Sequence, residues 1–340
     1  MLMEKLSNTP GVSSFEEPVR NVIRAEIEPY VDEIHVDAIG NLIAHKKGPA
    51  GSPKVMFMAH MDEVGMIVRG IRDDGLLALL PLGSVDPRVI DSRIVKVGPN
   101  GVPGVIGSKA IHLQSPEDRN TPPSFKMLFV DVGATDKASA EKLASVGDVV
   151  WFDSVFRTMG DGFYKGKALD DRAGCAAIIT ALKQGPFPCD FYAVFSAQEE
   201  CGMRGAGAAA EYVAPDVAVV FEGTTANDVW DVEPEHTVVR LGDGVVITPA
   251  DGSNIAHPGV LKTLIALAER NGIRWQYKRS VTGSTDAGVI RPRIGGIPVA
   301  VLAVPCRYIH SPVTMMKAVD LEAAAALGVA FLKNGGKLEE

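Results

Sequence analysis

Short apolar runs separated by helix-length segments are the feature that most limits the fold of this 340-residue chain. Strands are predicted at 191–195, 217–221 and 297–304, and segments of helical character lie between them. A similar apolar run occupies 55–59, near the start of the chain. Continuous apolar runs suit strands that are buried on both faces, and their alternation with helices indicates a parallel arrangement. We therefore predict an α/β fold with a mainly parallel sheet covered by helices.

The residues before the first of these strands predict a helix and a hairpin. Ser14-Phe-Glu-Glu17 has the pattern of a helix-capping box, and apolar residues follow it at helical spacing, which indicates a helix over about residues 15–30. Residues 34–46 have the pattern of two short strands joined around Ala38-Ile-Gly-Asn41.

The composition changes between residues 67 and 165. Five glycines and seven prolines fall between Pro81 and Pro123, and short β-branched runs such as 94–97 and 102–106 lie among them. Frequent turns between short strands indicate a small β-rich unit. We predict that residues 67–165 form an inserted β-rich domain, within an α/β domain made from residues 1–66 and 166–340.

The overall composition excludes several classes of protein. The net charge is −8, whereas nucleic-acid binding needs a concentrated basic surface. The chain has no apolar run of about 18 residues, the length that a membrane-spanning helix needs, and its first residues lack the pattern of a signal peptide. Four cysteines show no C-x-x-C pairing and are typical of reduced thiols. We expect a cytoplasmic protein that binds neither nucleic acid nor membranes.

Histidines and carboxylates follow the predicted strands at the points where the strands end. They are His60, Asp62, Asp170, Glu199, Glu200, Glu222 and His310. Ligands of open α/β sheets bind outside the carboxyl ends of the strands, so we expect these side chains to lie close together. Each one alone has an ordinary structural explanation, such as a loop histidine or a helix cap. Those explanations do not account for their convergence beside buried strands.

A site with two metal ions fits this set of side chains. Zinc binds histidine nitrogen and carboxylate oxygen, and two ions about 3.5–4 Å apart share a bridging carboxylate. Two histidines and three acids satisfy such a site, and a spare glutamate can carry a proton from water to a leaving amine. Asp62 lies two residues after His60, on the same side of an extended chain, and is placed to accept a hydrogen bond from that ring.

Several longer motifs occur in a fixed order along the chain. They include Leu6-Ser, Gly11-Val-Ser, Glu17-Pro-Val-Arg20, Ala59-His-Met-Asp-Glu-Val-Gly65, Gly166-Lys-Ala-Leu-Asp-Asp-Arg172, Ala197-Gln-Glu-Glu200, Phe221-Glu-Gly-Thr224, Gly283-Ser-Thr-Asp-Ala287 and Arg307-Tyr-Ile-His-Ser-Pro312. With these motifs the chain resembles, nearly end to end, the family-42 metallopeptidases. These are the tetrahedral (TET) aminopeptidases of the glutamyl or deblocking aminopeptidase group.

The resemblance implies a phosphorylase/hydrolase-like catalytic domain with an inserted PDZ-like β domain used in dimerisation. It also implies a role for each site residue: His60 and Glu222 on one metal ion, Glu200 and His310 on the other, Asp170 as the bridge, Glu199 as the general base and Asp62 as the partner of His60. The cofactors would be two divalent ions per subunit, zinc first, with cobalt or manganese as alternatives.

Two positions differ from what many relatives carry. Glu222 stands where many relatives have aspartate, and Thr314 stands near a position where many have glutamate. The longer side chain of Glu222 still offers a carboxylate ligand, so no required type of ligand is missing.

The function implied is a metal-dependent aminopeptidase that removes N-terminal residues from peptides, using water activated by two metal ions and a glutamate general base. An amide hydrolase or deacylase of N-acyl amino acids or small modified substrates is the alternative. A catalytically silent assembly scaffold and a glycoside hydrolase account for the residues less well. The expected partners are short peptide substrates and copies of the same chain, in a dimer-based assembly that the resemblance implies is a tetrahedral dodecamer.

Overall fold

The computed structural model describes residues 1–339. Its helices are α1 (Leu2–Asn8), α2 (Glu17–Ile27), α3 (Pro116–Asn120), α4 (Lys137–Ala140), α5 (Leu169–Leu182), α6 (Arg204–Val213), α7 (Pro258–Arg270), α8 (Ala287–Ile290) and α9 (Ala318–Lys333). Its strands are β1 (Glu33–Val36), β2 (Leu42–Lys46), β3 (Lys54–His60), β4 (Gly65–Ile71), β5 (Leu77–Leu82), β6 (Ile94–Val97), β7 (Val102–Gly107), β8 (Phe129–Asp131), β9 (Val149–Phe152), β10 (Arg157–Met159), β11 (Phe163–Gly166), β12 (Asp190–Ser196), β13 (Val217–Thr225), β14 (Val245–Thr248), β15 (Trp275–Tyr277), β16 (Val299–Cys306) and β17 (Thr314–Lys317). None of the helices described is long and apolar enough to cross a membrane.

Eight strands form the main sheet, in the order β1-β2-β12-β3-β13-β16-β14-β15. The four central strands, β12, β3, β13 and β16, are parallel to one another. The pairs β1–β2, β2–β12 and β14–β16 are antiparallel, so the sheet as a whole is mixed. The predicted α/β class is confirmed, and the parallel part is the centre of the sheet.

The central strands are buried on both faces because their apolar runs are continuous. Phe57 of β3 packs into a core with residues of α5 and α9. Met56 and Met58, its neighbours on the opposite face, pack with residues of α6 and α8. Helices therefore cover both faces of the sheet, and its carboxyl-terminal edge is left for polar loops.

Six further strands close into a small barrel, in the order β4-β5-β8-β7-β6-β9. Its interior is a separate apolar cluster that includes Met66, Val95, Ile106 and Val150. The following hairpin, β10–β11, pairs with β17 in a three-stranded sheet. Strand β11 is thus hydrogen-bonded to β17, the strand that follows His310.

Two local expectations need correction. Helix α2 begins at Glu17, and Ser14 has a φ angle of 72° and does not cap it through its side chain. The capping-box prediction is therefore wrong, because the chain turns in the left-handed region before the helix starts. Strand β13 continues past Glu222 to Thr225, so Glu222 lies within the strand rather than after it.

Candidate active site

The carboxyl ends of the central strands border a cavity of about 540 Å³. Five of the seven predicted site residues line it: Asp170, Glu199, Glu200, Glu222 and His310. The other two, His60 and Asp62, are buried and lie at the end of β3 and just after it. The structure thus brings all seven residues to one edge of the sheet.

Asp170 lies between two histidine–glutamate pairs. Its Oδ1 is 3.5 Å from Nε2 of His60, and its Oδ2 is 3.9 Å from Nε2 of His310. Nε2 of His60 is also 3.1 Å from Oε1 of Glu222, and Nε2 of His310 is 3.2 Å from Oε2 of Glu200. Two sets of donor atoms therefore face the two oxygens of one carboxylate.

Local backbone geometry places Asp170 in this position. It precedes the regular part of α5, and its φ and ψ angles of −85° and 110° are not helical. The N–H of Gly223 in β13 donates a hydrogen bond of 3.0 Å to Oδ1 of Asp170. A Cβ atom at residue 223 would lie 2.5 Å from that oxygen. Only glycine allows β13 to approach the carboxylate so closely.

Asp62 connects β3 to the loop after β12. Its carboxylate accepts hydrogen bonds from the backbone N–H groups of Glu199 (3.0 Å) and Glu200 (3.1 Å) and from Oγ of Ser13 (2.6 Å). Oδ1 of Asp62 is 3.4 Å from Nδ1 of His60, whereas its backbone carbonyl oxygen is 3.1 Å from the same nitrogen. Asp62 is therefore beside His60, as expected, and it also holds the two glutamates.

The parallel pairing of β12 with β3 explains this contact. Ser196 lies opposite His60 in the register, and the N–H of Met61 donates to the carbonyl of Ser196 at 2.8 Å. Both chains leave the sheet at this level, so the residues that follow meet above the same edge. The register thus sets Asp62 against Glu199 and Glu200.

Buried charges of opposite sign surround the histidines. Burial works to lower the pKa of His60, but Glu222, Asp170 and Asp62 raise it well above its usual value. Burial works to raise the pKa of Asp170, but His60 and His310 hold it below its usual value. The site therefore favours positive charge at the centre of the cluster.

The three glutamates are less well compensated. Burial raises the pKa of Glu199 to about 9, with Asp286 and Glu200 adding to burial and His60 opposing it. Burial also raises the pKa values of Glu200 and Glu222, against the effects of His310 and His60 respectively. Carboxylates crowded in this way indicate a place where additional cationic charge would be stabilised.

The donor atoms fit divalent metal ions. Oε2 of Glu222 is buried and has no hydrogen-bond partner among residues 1–339. Ligand atoms within 4.8 Å of one another are offered by three sets of residues: Asp170, Glu200 and His310; His60, Glu199 and Glu200; and His60, Asp171 and Glu222. Imidazole nitrogen and carboxylate oxygen are the ligands that zinc and related ions accept.

Other residues at the site were not assigned from the sequence. Oδ2 of Asp286 accepts a hydrogen bond of 2.6 Å from Oγ of Ser196. Asp171 packs behind Asp170 and accepts from the N–H of Gly174 at 2.9 Å. Both aspartates occur in the motifs quoted above, but a motif alone does not show which of its residues lie close to the ligand atoms.

The lining of the cavity is largely polar and includes a lysine. Lys278 lines it together with Thr224, Thr225, Asn227, Thr282, Ser284 and Thr285. Nζ of Lys278 donates to the carbonyl of Thr282 at 2.7 Å, and no carboxylate lies within 4.0 Å of it in the part of the chain that the structure describes. A lone lysine after a short strand gave no signal in the sequence.

Comparison with known proteins places the chain among aminopeptidases. A profile of the M42 glutamyl aminopeptidase family matches residues 40–327. A putative aminopeptidase of Acetivibrio thermocellus is 38% identical over 327 residues, covering 96% of both chains. The lysyl aminopeptidase of Pyrococcus furiosus is 34% identical, covering 98% of this chain and 96% of that one.

Solved structures show the same fold over nearly the whole chain. An aminopeptidase of Desulfurococcus kamchatkensis has a TM-score of 0.94 at 36% identity, covering 98% of this chain and 93% of that one. A protein of Thermotoga maritima described as an endoglucanase has a TM-score of 0.82 at 36% identity, covering 98% and 97%. The TET1 peptidase of Pyrococcus horikoshii, which can assemble into a tetrahedron or a large octahedral shell, has a TM-score of 0.87 at 32% identity, covering 97% and 98%.

Proposed function

Because this chain belongs to the M42 family of aminopeptidases, we propose that it is a metal-dependent aminopeptidase that removes N-terminal residues from short peptides. The observation that carries the proposal is the position of Asp170, whose two carboxylate oxygens face His60 and His310 separately. A shared carboxylate between two histidine-containing donor sets is the arrangement that a two-metal hydrolase requires.

The ligands of the two ions follow from these contacts. His60 and Glu222 would hold one divalent ion, Glu200 and His310 the other, and Asp170 would offer one oxygen to each. When bound, the ions would supply Lewis-acid chemistry by polarising a carbonyl oxygen and lowering the pKa of a water molecule. Zinc is our first choice, and cobalt or manganese would accept the same nitrogen and oxygen donors.

Glu199 is the proposed general base. It lines the cavity, and no histidine nitrogen of the described residues lies within 4.0 Å of its carboxylate. The carboxylates of Glu200 and Glu222, by contrast, each have a histidine nitrogen within that distance. Its backbone N–H is held by Asp62, which fixes the start of the side chain. Divalent cations held beside it would oppose the effect of burial on its pKa, and the ionised carboxylate would take a proton from the attacking water and return it to the departing amine. The free amino group of the substrate would lie among the remaining carboxylates, which limits cleavage to the chain end.

Lys278 suggests which N-terminal residues fit the cavity. Among residues 1–339 its ammonium group has a single hydrogen bond, to a backbone carbonyl, and it lines the cavity together with several hydroxyl groups. Two N–H donors remain for a ligand. A substrate carboxylate would pair with them, so we propose a preference for N-terminal glutamate or aspartate. That preference is opposite in charge to the lysyl activity of the Pyrococcus furiosus relative.

The assembly is proposed to be a homo-oligomer built from dimers. We propose that residues 1–66 and 166–340 form a phosphorylase/hydrolase-like catalytic domain, and that residues 67–165 form a PDZ-like domain that makes the dimer contact. The barrel supports this because Ile94 and Val105, cross-strand neighbours on its outer face, are 58% and 46% exposed. We propose that the subunits are cytoplasmic and form a tetrahedral dodecamer, and the support is that the TET1 relative can assemble into a tetrahedron or a large octahedral shell.

Three alternative functions can be compared with the residues of this site. An amide hydrolase or deacylase of N-acyl amino acids would use the same metal ligands and differ only in the cavity wall. A glycoside hydrolase, suggested by one structural relative, needs two carboxylates and leaves the contacts of His60 and His310 without a role. A catalytically silent scaffold would leave the buried charges without a function.

The experiment is a substrate panel on protein stripped of metal and reloaded with zinc, cobalt or manganese. We expect cleavage of aminoacyl p-nitroanilides with a free amino group, only in the reloaded protein, and no cleavage of N-acetyl amino acids or carboxymethylcellulose. Glu199→Gln should keep its metal content and lose about 10²–10⁴-fold in turnover, as expected for removal of a general base. Near wild-type turnover of the variant, or a preference for acylated substrates, would contradict the proposal.

A further inference from the structure

The turn that carries Glu199 has a backbone conformation that its sequence does not favour. We call residues 197–200 the catalytic turn. Gln198 within it has a φ angle of 59°, in the left-handed region that glycine adopts readily and glutamine rarely. Such a conformation persists only where surrounding groups hold it. The contacts to this turn therefore determine where the Glu199 carboxylate points.

Each backbone N–H of the turn donates a hydrogen bond to a side chain that is distant in the sequence. The N–H of Ala197 donates to Oδ1 of Asn41 at 2.9 Å. Those of Glu199 and Glu200 donate to Asp62. The remaining N–H, that of Gln198 itself, donates to Oε1 of Glu16 at 3.1 Å. The strained residue is thus held by a side chain that no step of the proposed chemistry uses.

Glu16 is itself held firmly. It is 2% exposed and directly precedes α2, whose apolar side packs into the main core through Val19 and Ile23. The same Oε1 accepts a second hydrogen bond, of 2.8 Å, from the N–H of Ser14. Ser14 also has a left-handed backbone, with a φ angle of 72°. One carboxylate oxygen therefore joins two left-handed turns, one before α2 and one after β12.

We propose that Glu16 is a positioning residue that fixes the catalytic turn and so aims the Glu199 carboxylate at the reacting water. The inference rests on the proposed role of Glu199. Its physical basis is the length of the Glu16 side chain, which allows Oε1 to reach both N–H groups at once. The charge of Glu16 has no part in it, because a neutral amide oxygen at the same position accepts the same two hydrogen bonds.

Two small substitutions separate position from charge. Glu16→Gln keeps an oxygen in place and removes the charge, whereas Glu16→Asp keeps the charge and withdraws it by one methylene, about 1.5 Å. We expect Glu16→Gln to have kcat close to wild type. We expect Glu16→Asp, and Glu16→Leu if it folds, to lose about 10- to 100-fold in kcat, the effect of a misplacement of about 1 Å at a reacting group. KM and metal content should change little.

The measurements are steady-state kinetics on an aminoacyl p-nitroanilide, metal content and melting temperature, all on zinc-loaded protein. Glu17→Asp is the matched control, because Glu17 is the exposed neighbour of Glu16, and it should have wild-type kcat. The inference is overturned if Glu16→Asp keeps wild-type kcat, if Glu16→Gln loses as much as Glu16→Asp, or if only KM rises. Glu199→Gln is measured beside them. If Glu199→Gln is fully active, the proposed role of Glu199 is wrong. If Glu199→Gln is inactive while all Glu16 variants keep wild-type kcat, only the role of Glu16 is wrong.

Discussion

At the scale of single residues, the position of Asp170 decides most of the proposed chemistry. Its carboxylate lies between His60 and His310, and the N–H of Gly223 holds one of its oxygens. Neither histidine–glutamate pair alone offers more than two side-chain ligands. In the proposed two-ion site, binding of each ion would therefore depend on the same residue.

Asp170→Ala should weaken both metal sites together. Loss of the shared ligand should lower affinity at each site by more than the roughly 10- to 100-fold typical of removing an outer hydrogen-bond partner. Isothermal titration of metal-free protein with zinc measures both sites. Asp216→Asn, at an exposed carboxylate outside the three sets of clustered ligand atoms, is the control and should keep two sites. Loss of one site only in Asp170→Ala would show that another carboxylate, with Asp171 the nearest candidate, completes the second.

Lys278→Met should change the choice of substrate rather than the chemistry. A hydrogen-bonded charge pair contributes about 1.5–3 kcal/mol, so kcat/KM for a glutamyl p-nitroanilide should fall by about 10- to 100-fold. The value for leucyl p-nitroanilide should stay near wild type. Arg279→Met removes a neighbouring exposed charge that does not line the cavity and should leave both values unchanged. An equal loss on both substrates in Lys278→Met would contradict the specificity role.

At the scale of secondary-structure elements, side-chain carboxylates accept hydrogen bonds from backbone N–H groups and set local conformations that the sequence pattern does not predict. The segment before α2 has the sequence of a capping box but the conformation of a turn, because Glu16 accepts hydrogen bonds from Ser14 and from the distant Gln198. Likewise, Asp320 in α9 accepts hydrogen bonds from the N–H groups of Gly242 and Gly244, before β14. These contacts join elements that are far apart in sequence.

The contact between α9 and the turn before β14 should make stability depend on pH. Burial raises the pKa of Asp320 to about 6, against the hydrogen bonds from Gly242 and Gly244, whereas an unfolded aspartate titrates near about 3.9. Between about pH 4 and 6 the folded protein then binds more protons than the unfolded chain, so the free energy of unfolding falls as pH rises. The contribution is at most about 3 kcal/mol, at about 1.4 kcal/mol per pKa unit.

Asp320→Asn isolates this effect. Urea unfolding of both proteins, without metal, from pH 4 to 7.5 gives the difference in free energy of unfolding between them. That difference, wild type minus variant, should decrease between about pH 4 and 6 and level off above, while other titrating groups cancel. A difference that stays constant or increases across this range would contradict the shift of Asp320.

At the scale of the whole molecule, the barrel and the sheet have separate apolar cores. The only histidine of the predicted inserted domain is His112, and the three sets of clustered ligand atoms among the described residues all lie at the edge of the main sheet. The barrel is thus free to serve another purpose. The exposed apolar side chains of Ile94 on β6 and Val105 on β7 suit a contact with a second copy.

Ile94→Glu combined with Val105→Glu should break the assembly and spare catalysis. Each buried apolar side chain contributes roughly 1.5–3 kcal/mol, so the dissociation constant should rise by at least about 100-fold. Light scattering of metal-loaded protein measures the mass, and cleavage of aminoacyl p-nitroanilides should persist. Val319→Glu, at a 49% exposed position on α9, is the control. An unchanged mass, or loss of metal, would contradict a dimer contact at this face.

The α/β class and the approximate positions of the central strands could be predicted from the residues alone, because burial on both faces requires continuous apolar runs. The sequence also indicated which histidines and carboxylates would meet, since residues after parallel strands share one edge. Three features became visible only in the folded chain: Asp170 lies between two histidines, Glu16 accepts a hydrogen bond from Gln198, and Lys278 lines the cavity. Local propensity does not predict left-handed turns at glutamine or serine, or contacts between side chains and backbone more than 100 residues apart. Packing of the whole chain fixes those features.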